Sequence, residues 1–320
     1  MRILGRGNQR GNRRASERAP KVVWDEWLEA DRAGDAEQAG RLAEEMVTVA
    51  PNSFRAWFEA GLYSKARGRW AESAQRNKRA AELCSEQDRH EYDGVNPAAW
   101  NLGIAATAVG DWATARWAWT EYGVSGIAAG SDPIDGDFGV TPVRLNPDRP
   151  SLPHQVAPDF GDTEVVWCWR RSPAHAVISS VPLPESGHRF RDVLLHDGEP
   201  KGQRWNGERD VSVFDELARL EESGLSTWQA QVAGAEPDDL QALADLVGPS
   251  GLGLDDWSGI RLMCSQCSHG SPGPAHEHAP AATETTVLGL AGSEGELRAC
   301  LDGWLADRPH VTLTELAFLW

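Results

Sequence analysis

The chain has 320 residues, 41% hydrophobic and 25% charged, with a formal charge of −17. That length allows two or three domains with cores of their own, and the acidity argues against non-specific binding of phosphate backbones by the folded part. No apolar run is long enough for a transmembrane helix, and five cysteines spread over such a length do not make a disulfide framework.

The charge is uneven. Residues 1–21 carry Arg2, Arg6, Arg10, Arg13, Arg14, Arg18 and Lys21 against Glu17 alone, which leaves the remainder more acidic than the total. Residues 1–20 are rich in Arg, Gly and Asn with almost nothing to bury, so a disordered basic arm is expected. The arm lacks the apolar run of a secretory signal, and a cytoplasmic location is expected.

Residues 21–122 carry helical periodicity that repeats. Helices end and restart at Gly34-Asp35, Gly68-Arg69 and Gly110-Asp111. The first two turns are 34 residues apart, and the longer second interval is accounted for by a polar insert at 85–96. Such a period marks a stack of helix pairs. Trp57 and Trp100 are expected to fill the space between pairs.

This stretch, about a third of the chain, resembles the tetratricopeptide repeat family. Trp57, Gly61, Gly68 and Ala80 fall at the family's spacing in the second repeat. The first repeat keeps Gly34, Ala39 and Pro51 but lacks the leading Trp-to-Gly pair. The third keeps Gly103, Gly110, Ala115 and Trp119, with Trp100 one residue closer to Gly103 than the pattern asks. The resemblance implies a helical array and protein or peptide binding on its concave face. With three repeats, the array could equally serve only as a platform for the rest of the chain.

Residues 123–163 are rich in Gly, Pro and Asp and read as a linker packed over a surface, with an extended strand at 141–145. From 164 the period changes to two. Strands are expected at 164–170, 174–181 and 191–196, and residues 211–221 place Val213, Leu217 and Leu220 at helical spacing. This makes 164–225 a small β-meander or half-closed barrel.

Residues 226–320 predict the order β-α-β-β-α-β, a ferredoxin-like α+β domain. Its strands fall at 227–233, 260–264, 285–291 and 311–320. One helix opens at Pro237, and Ser293 caps the other. The whole chain is therefore a multidomain α and α+β mixture.

The hairpin at 264–284 is long for its type and holds the one crowd of metal-type ligands. Cys264-x-x-Cys267 presents two thiolates, and His276-x-His278 offers two imidazoles from an extended segment. Two sulfurs and two nitrogens suit a tetrahedral structural zinc, with His269 able to replace one histidine. The competing reading makes Cys264 the buried end of a strand and the histidines solvated loop residues.

No dinucleotide, phosphate-loop, zinc-protease or serine-hydrolase motif occurs. The leading expectation is a non-catalytic interaction or adaptor protein that binds a protein partner on its array. A second is an enzyme or small-ligand sensor whose site lies between the two C-terminal domains and uses His188, Asp192 and His196. A third is nucleic-acid binding through the basic arm.

Overall fold

A computed structural model describes residues 18–149, 163–260 and 285–320. The chain divides into two compact units, 1–134 and 135–320.

The first unit is helical. Three pairs, α1 (Pro20–Arg32) with α2 (Ala36–Val49), α3 (Phe54–Ala66) with α4 (Trp70–Leu83), and α6 (Pro97–Ala108) with α7 (Trp112–Tyr122), are each joined by a turn of a few residues. Gly34, Gly68 and Gly110 sit in those turns at φ of 69, 64 and 73°, a region where a Cβ is strained. Asp35 and Asp111 then cap the following helices by accepting from the amides of Gln38 and Thr114.

Close packing explains the small residues. A Cβ on Gly103 would lie 2.6 Å from the Trp119 ring. The Trp57 indole donates to the Pro51 carbonyl, in the link from the first pair, at 2.8 Å, whereas Trp100 meets Trp119 edge-on at 5.1 Å within the third pair. The polar insert forms a short helix, α5 (Glu86–His90), with a capping box between Ser85 and Asp88. Tyr92 follows it and packs on Phe54 and Phe58 at 6.4 and 5.9 Å.

The second unit begins with a barrel. Strands β1 (Val140–Arg144), β2 (Val165–Arg170), β3 (His175–Ile178) and β4 (Val193–His196) run antiparallel in order. The hairpin β5 (Gly202–Trp205) and β6 (Asp210–Glu221) follows. β6 pairs antiparallel with β4 and parallel with β1, closing the ring. The Arg144 guanidinium fixes that closure on the Asp215 carboxylate through bonds of 2.7 and 2.9 Å. Val143, Val166, Cys168, Ala176, Ile178 and Leu194 form the barrel core.

One expectation is corrected here. Residues 211–221 are strand, not helix. β6 takes hydrogen bonds from three other strands along its length, and shifts in its pairing with β4 at Val193/Leu194 and Leu195/His196 break the strict alternation that marks a strand. The C-terminal part also holds a strand that the pattern did not predict, β8 (Gly253–Asp256), followed by the short helix α9 (Trp257–Ile260); the strand expected at 260–264 lies, beyond Ile260, outside the described residues. Gly253 lets β8 lie against the barrel, since a Cβ there would meet Val181, Phe190 and Ala291 within 2.9 Å.

β7 (Thr227–Ala233), β8, β9 (Thr285–Ala291) and β10 (Thr312–Phe318) form a second antiparallel sheet in the order β10-β7-β9-β8. Helices α8 (Pro237–Val247) and α10 (Glu294–Ala306) share one core with it, built from Trp228, Ala230, Val232, Leu288 and Leu290 against Leu243, Val247, Leu297, Leu301 and Trp304. A smaller cluster of Val181, Leu183, Phe190, Trp257 and Ala291 joins this sheet to the barrel.

Candidate functional site

The expected metal ligands Cys264, Cys267, His276 and His278, and the alternative His269, lie outside the described residues. Among the described residues, no three His, Cys, Asp or Glu side chains gather as metal ligands would.

The barrel acids and histidines singled out by sequence are all buried, and they serve separate local networks. The His188 ring places Nε2 2.7 Å from Glu216 Oε1 and Nδ1 3.0 Å from the Ser186 carbonyl. Glu216 also accepts from the Asn146 amide at 2.9 Å, so this group ties β6 to the end of β1. Asp192 accepts from the amides of Arg189 and Ser223 at 2.9 and 2.8 Å and from Arg219 at 3.3 Å, which shapes the approach to β4.

His196 is at the barrel end. Its Nδ1 lies 2.7 Å from the Asp197 carbonyl and carries the ring proton. The ring stacks on Phe214 at 5.2 Å, and Nε2 is buried without a partner in the structure. Burial, aided by the nearby Arg170, pushes its pKa down to about 4. The imidazole is neutral at pH 7, which makes it a weak base. His175 is likewise held near 4, by burial and Arg171, with Nδ1 2.6 Å from Ser172 Oγ. The three residues of the proposed enzyme site, His188, Asp192 and His196, thus share no ligand position.

Sequence pattern alone did not single out two strongly perturbed acids of the second unit. Glu164 directly precedes β2 and is almost wholly buried, with both carboxyl oxygens 3.1 Å from the Leu183 amide. Burial pushes its pKa up to about 8, with the charge of Asp255 adding to the effect. Asp255, on β8, accepts from the Val181 amide and is raised to about 6, again by burial first. The Trp257 indole donates to the Val181 carbonyl at 2.9 Å. Two acids and an indole therefore grip residues 181–183 at the junction of barrel and sheet. Both Glu164 oxygens and Asp255 Oδ2 lie against backbone amides, so the arrangement acts as a clasp.

In the helical unit, side chains link the first helices of successive pairs. Ala56 and Ala60 of α3 share a core with Val23, Trp27 and Ala30 of α1. On the outer side of that contact the Arg55 guanidinium sits 4.6 Å above the Trp24 ring, and Lys65 donates to Asn101 on α6 at 3.1 Å. Residues Trp24, Leu28 and Asp31 on α1 and Arg55, Glu59 and Leu62 on α3 follow helical spacing along one face. Arg55 and Asp31 are exposed, and the others are partly so. Burial pushes the Glu59 pKa up to about 7, against the pull of Arg55.

Comparison with known proteins adds little. No protein-family model and no curated protein matches the chain. A solved structure of a Thermobaculum terrenum O-GlcNAc transferase mutant, K341M, matches at 22% identity over 32% of this chain and 18% of that one, with a TM-score of 0.26. This chain spans less than a fifth of that protein, and so loose a superposition carries no argument about fold or function. No helix among the described residues is long and apolar enough to cross a membrane.

Proposed function

We propose that this is a non-catalytic interaction protein that holds a segment of a protein partner on the face formed by α1, α3 and α6. The helix pairs are read as a tetratricopeptide-like array. The observation that carries the proposal is the continuity of that face: Trp24 to Arg55 and Lys65 to Asn101 bridge successive helices and leave a mixed apolar and charged surface partly open. Such a surface suits an extended peptide, with apolar contacts for affinity and charges for register. The buried histidines and acids of the barrel serve structural networks, which favours binding over catalysis.

The experiment is a peptide-display selection against the purified protein, followed by affinity measurement on Arg55→Glu and Lys65→Glu variants. Selected peptides are expected to lose at least about tenfold in affinity on one of these variants. Peptides that bind both variants as tightly as the original chain would refute the assignment to this face.

The C-terminal sheet and its two helices are read as a ferredoxin-like layer, supported by the element order and the strand order β10-β7-β9-β8. Its long connection is read as clasped by a structural zinc on Cys264, Cys267, His276 and His278, a reading supported by the spacing of those residues. Elemental analysis of protein purified without chelator tests it. About one zinc per chain, lost in a Cys264→Ser/Cys267→Ser variant, is expected, and a zinc-free chain would sink it.

A further inference from the structure

The two edges of the second sheet differ. At one edge, β8 is covered: Asp255 accepts from the Val181 amide and the neighbouring Trp257 is buried against the barrel. At the other, β10 pairs with β7 alone among the described residues. Native sheets blunt such edges with lysine, proline or a covering element. Thr312–Phe318 holds no lysine or proline, its register against β7 shifts once, between Leu313 and Glu315, and its one charge, Glu315, already accepts from Gln231 at 2.7 Å.

The core is also unfinished there. Leu313 and Leu316 pack partly against it, while Phe318 is 58% exposed although its ring meets Trp228 at 5.2 Å. Leu319 beyond it is 36% exposed. A row of unpaired backbone groups beside uncovered apolar side chains is a template for another strand.

We propose that β10 is a homodimer interface, in which β10 of a second copy pairs with it antiparallel and continues the sheet. A two-fold interface needs a surface complementary to itself, and antiparallel pairing of one strand with its own copy meets that need. An axis through Leu316 sets Glu315 opposite Ala317, within the regular stretch beyond the shift at Leu313/Glu315. Apolar groups then meet near the axis and no like charges face each other. An axis through Glu315 would oppose two carboxylates and is disfavoured. The net charge of −17 repels two copies at long range, so the dimer tightens as salt is raised.

Sedimentation velocity on the full chain, over about 1 to 100 μM because so small an interface is weak, tests this at low and high salt. A reversible monomer–dimer equilibrium that strengthens with salt is expected. Phe318→Lys, at an exposed position, should leave the fold intact by circular dichroism and keep the chain monomeric throughout. Leu316→Cys should give a disulfide-linked dimer on a non-reducing gel that the unsubstituted chain does not give. A monomer over the whole range, a dimer indifferent to Phe318→Lys, or a dimer in which Leu316→Cys fails to cross-link would each overturn the proposal. So would capture of this edge by a strand from a different protein.

Discussion

Replacing Glu164 by glutamine tests the clasp between barrel and sheet. The carboxyl has a pKa of about 8 in the folded chain against 4.5 when free. Below about pH 4.5 both folded and unfolded chains hold the proton, and there is no penalty. As pH rises from there the unfolded chain releases the proton first, so stability falls by up to about 1.4 kcal/mol per pH unit until the folded pKa is passed. Between about pH 5 and pH 8 the acid therefore withdraws about 3 kcal/mol. Glutamine keeps an oxygen for the Leu183 amide but buries an amide nitrogen, a pH-independent loss of roughly 1–3 kcal/mol. The variant should be less stable than the original chain near pH 5 and should match or exceed it near pH 8. Urea unfolding can be followed by the 19F signal of fluorotryptophan at Trp257, whose indole donates to the same segment. The difference between the two chains isolates Glu164 from the other titrating groups. A difference that stays constant within about 1 kcal/mol across that range would refute the placement of a protonated acid at this junction.

Other expectations are independent of that one. Replacing His196 by phenylalanine should flatten the acid limb of the stability curve. Its pKa near 4 against 6.5 means that stability falls as pH drops through that window, by about 3 kcal/mol for this ring, and an unchanged limb in urea titrations would exclude its burial as a neutral ring. Arg76 is buried where it donates to the Ala60 carbonyl at 3.1 Å and Ser64 Oγ at 2.9 Å and pairs with Glu44 and Glu72. Because those acids are partly exposed, Arg76→Met should cost about 2 kcal/mol rather than the full loss of a buried pair, read as a lower midpoint of helical unfolding. Gly103→Ala puts a methyl 2.6 Å from the fully buried Trp119 ring and should cost about 1–3 kcal/mol. Thermal melts within a degree of the original chain would show that the α6–α7 contact is looser than described.

What could be read from sequence follows the range of the interactions. The helix turns at Gly34, Gly68 and Gly110 were legible because each turn is made by residues a few positions apart: a glycine beyond the last helical residue, then an acid or a short link into the next helix. Strand β9 and the cap at Ser293 were legible for the same reason. β8 was not. Its sequence, Gly-Leu-Asp-Asp, has no strand propensity, and it becomes a strand because Gly253 admits close contact with Val181, Phe190 and Ala291. Residues 211–221 misled in the opposite sense, because a strand shared among three neighbours with irregular register need not alternate.

The site residues divide along the same line. Histidines and cysteines announce themselves by type, which drew attention to Cys264, Cys267, His276 and His278 and to His188 and His196. Glu164 is one of 48 acidic residues, and nothing in its neighbours distinguishes it. It is perturbed because folding desolvates it, an effect that the charge of Asp255, on a different sheet, adds to and the Leu183 amide, 19 positions on, opposes. A buried acid is created by tertiary packing, so its chemistry cannot be older in the folding sequence than the contact that buries it. Removing Asp255 by separating the second sheet from the barrel should therefore lower the Glu164 pKa. Its proton affinity thus carries a contribution from the docking of those two parts.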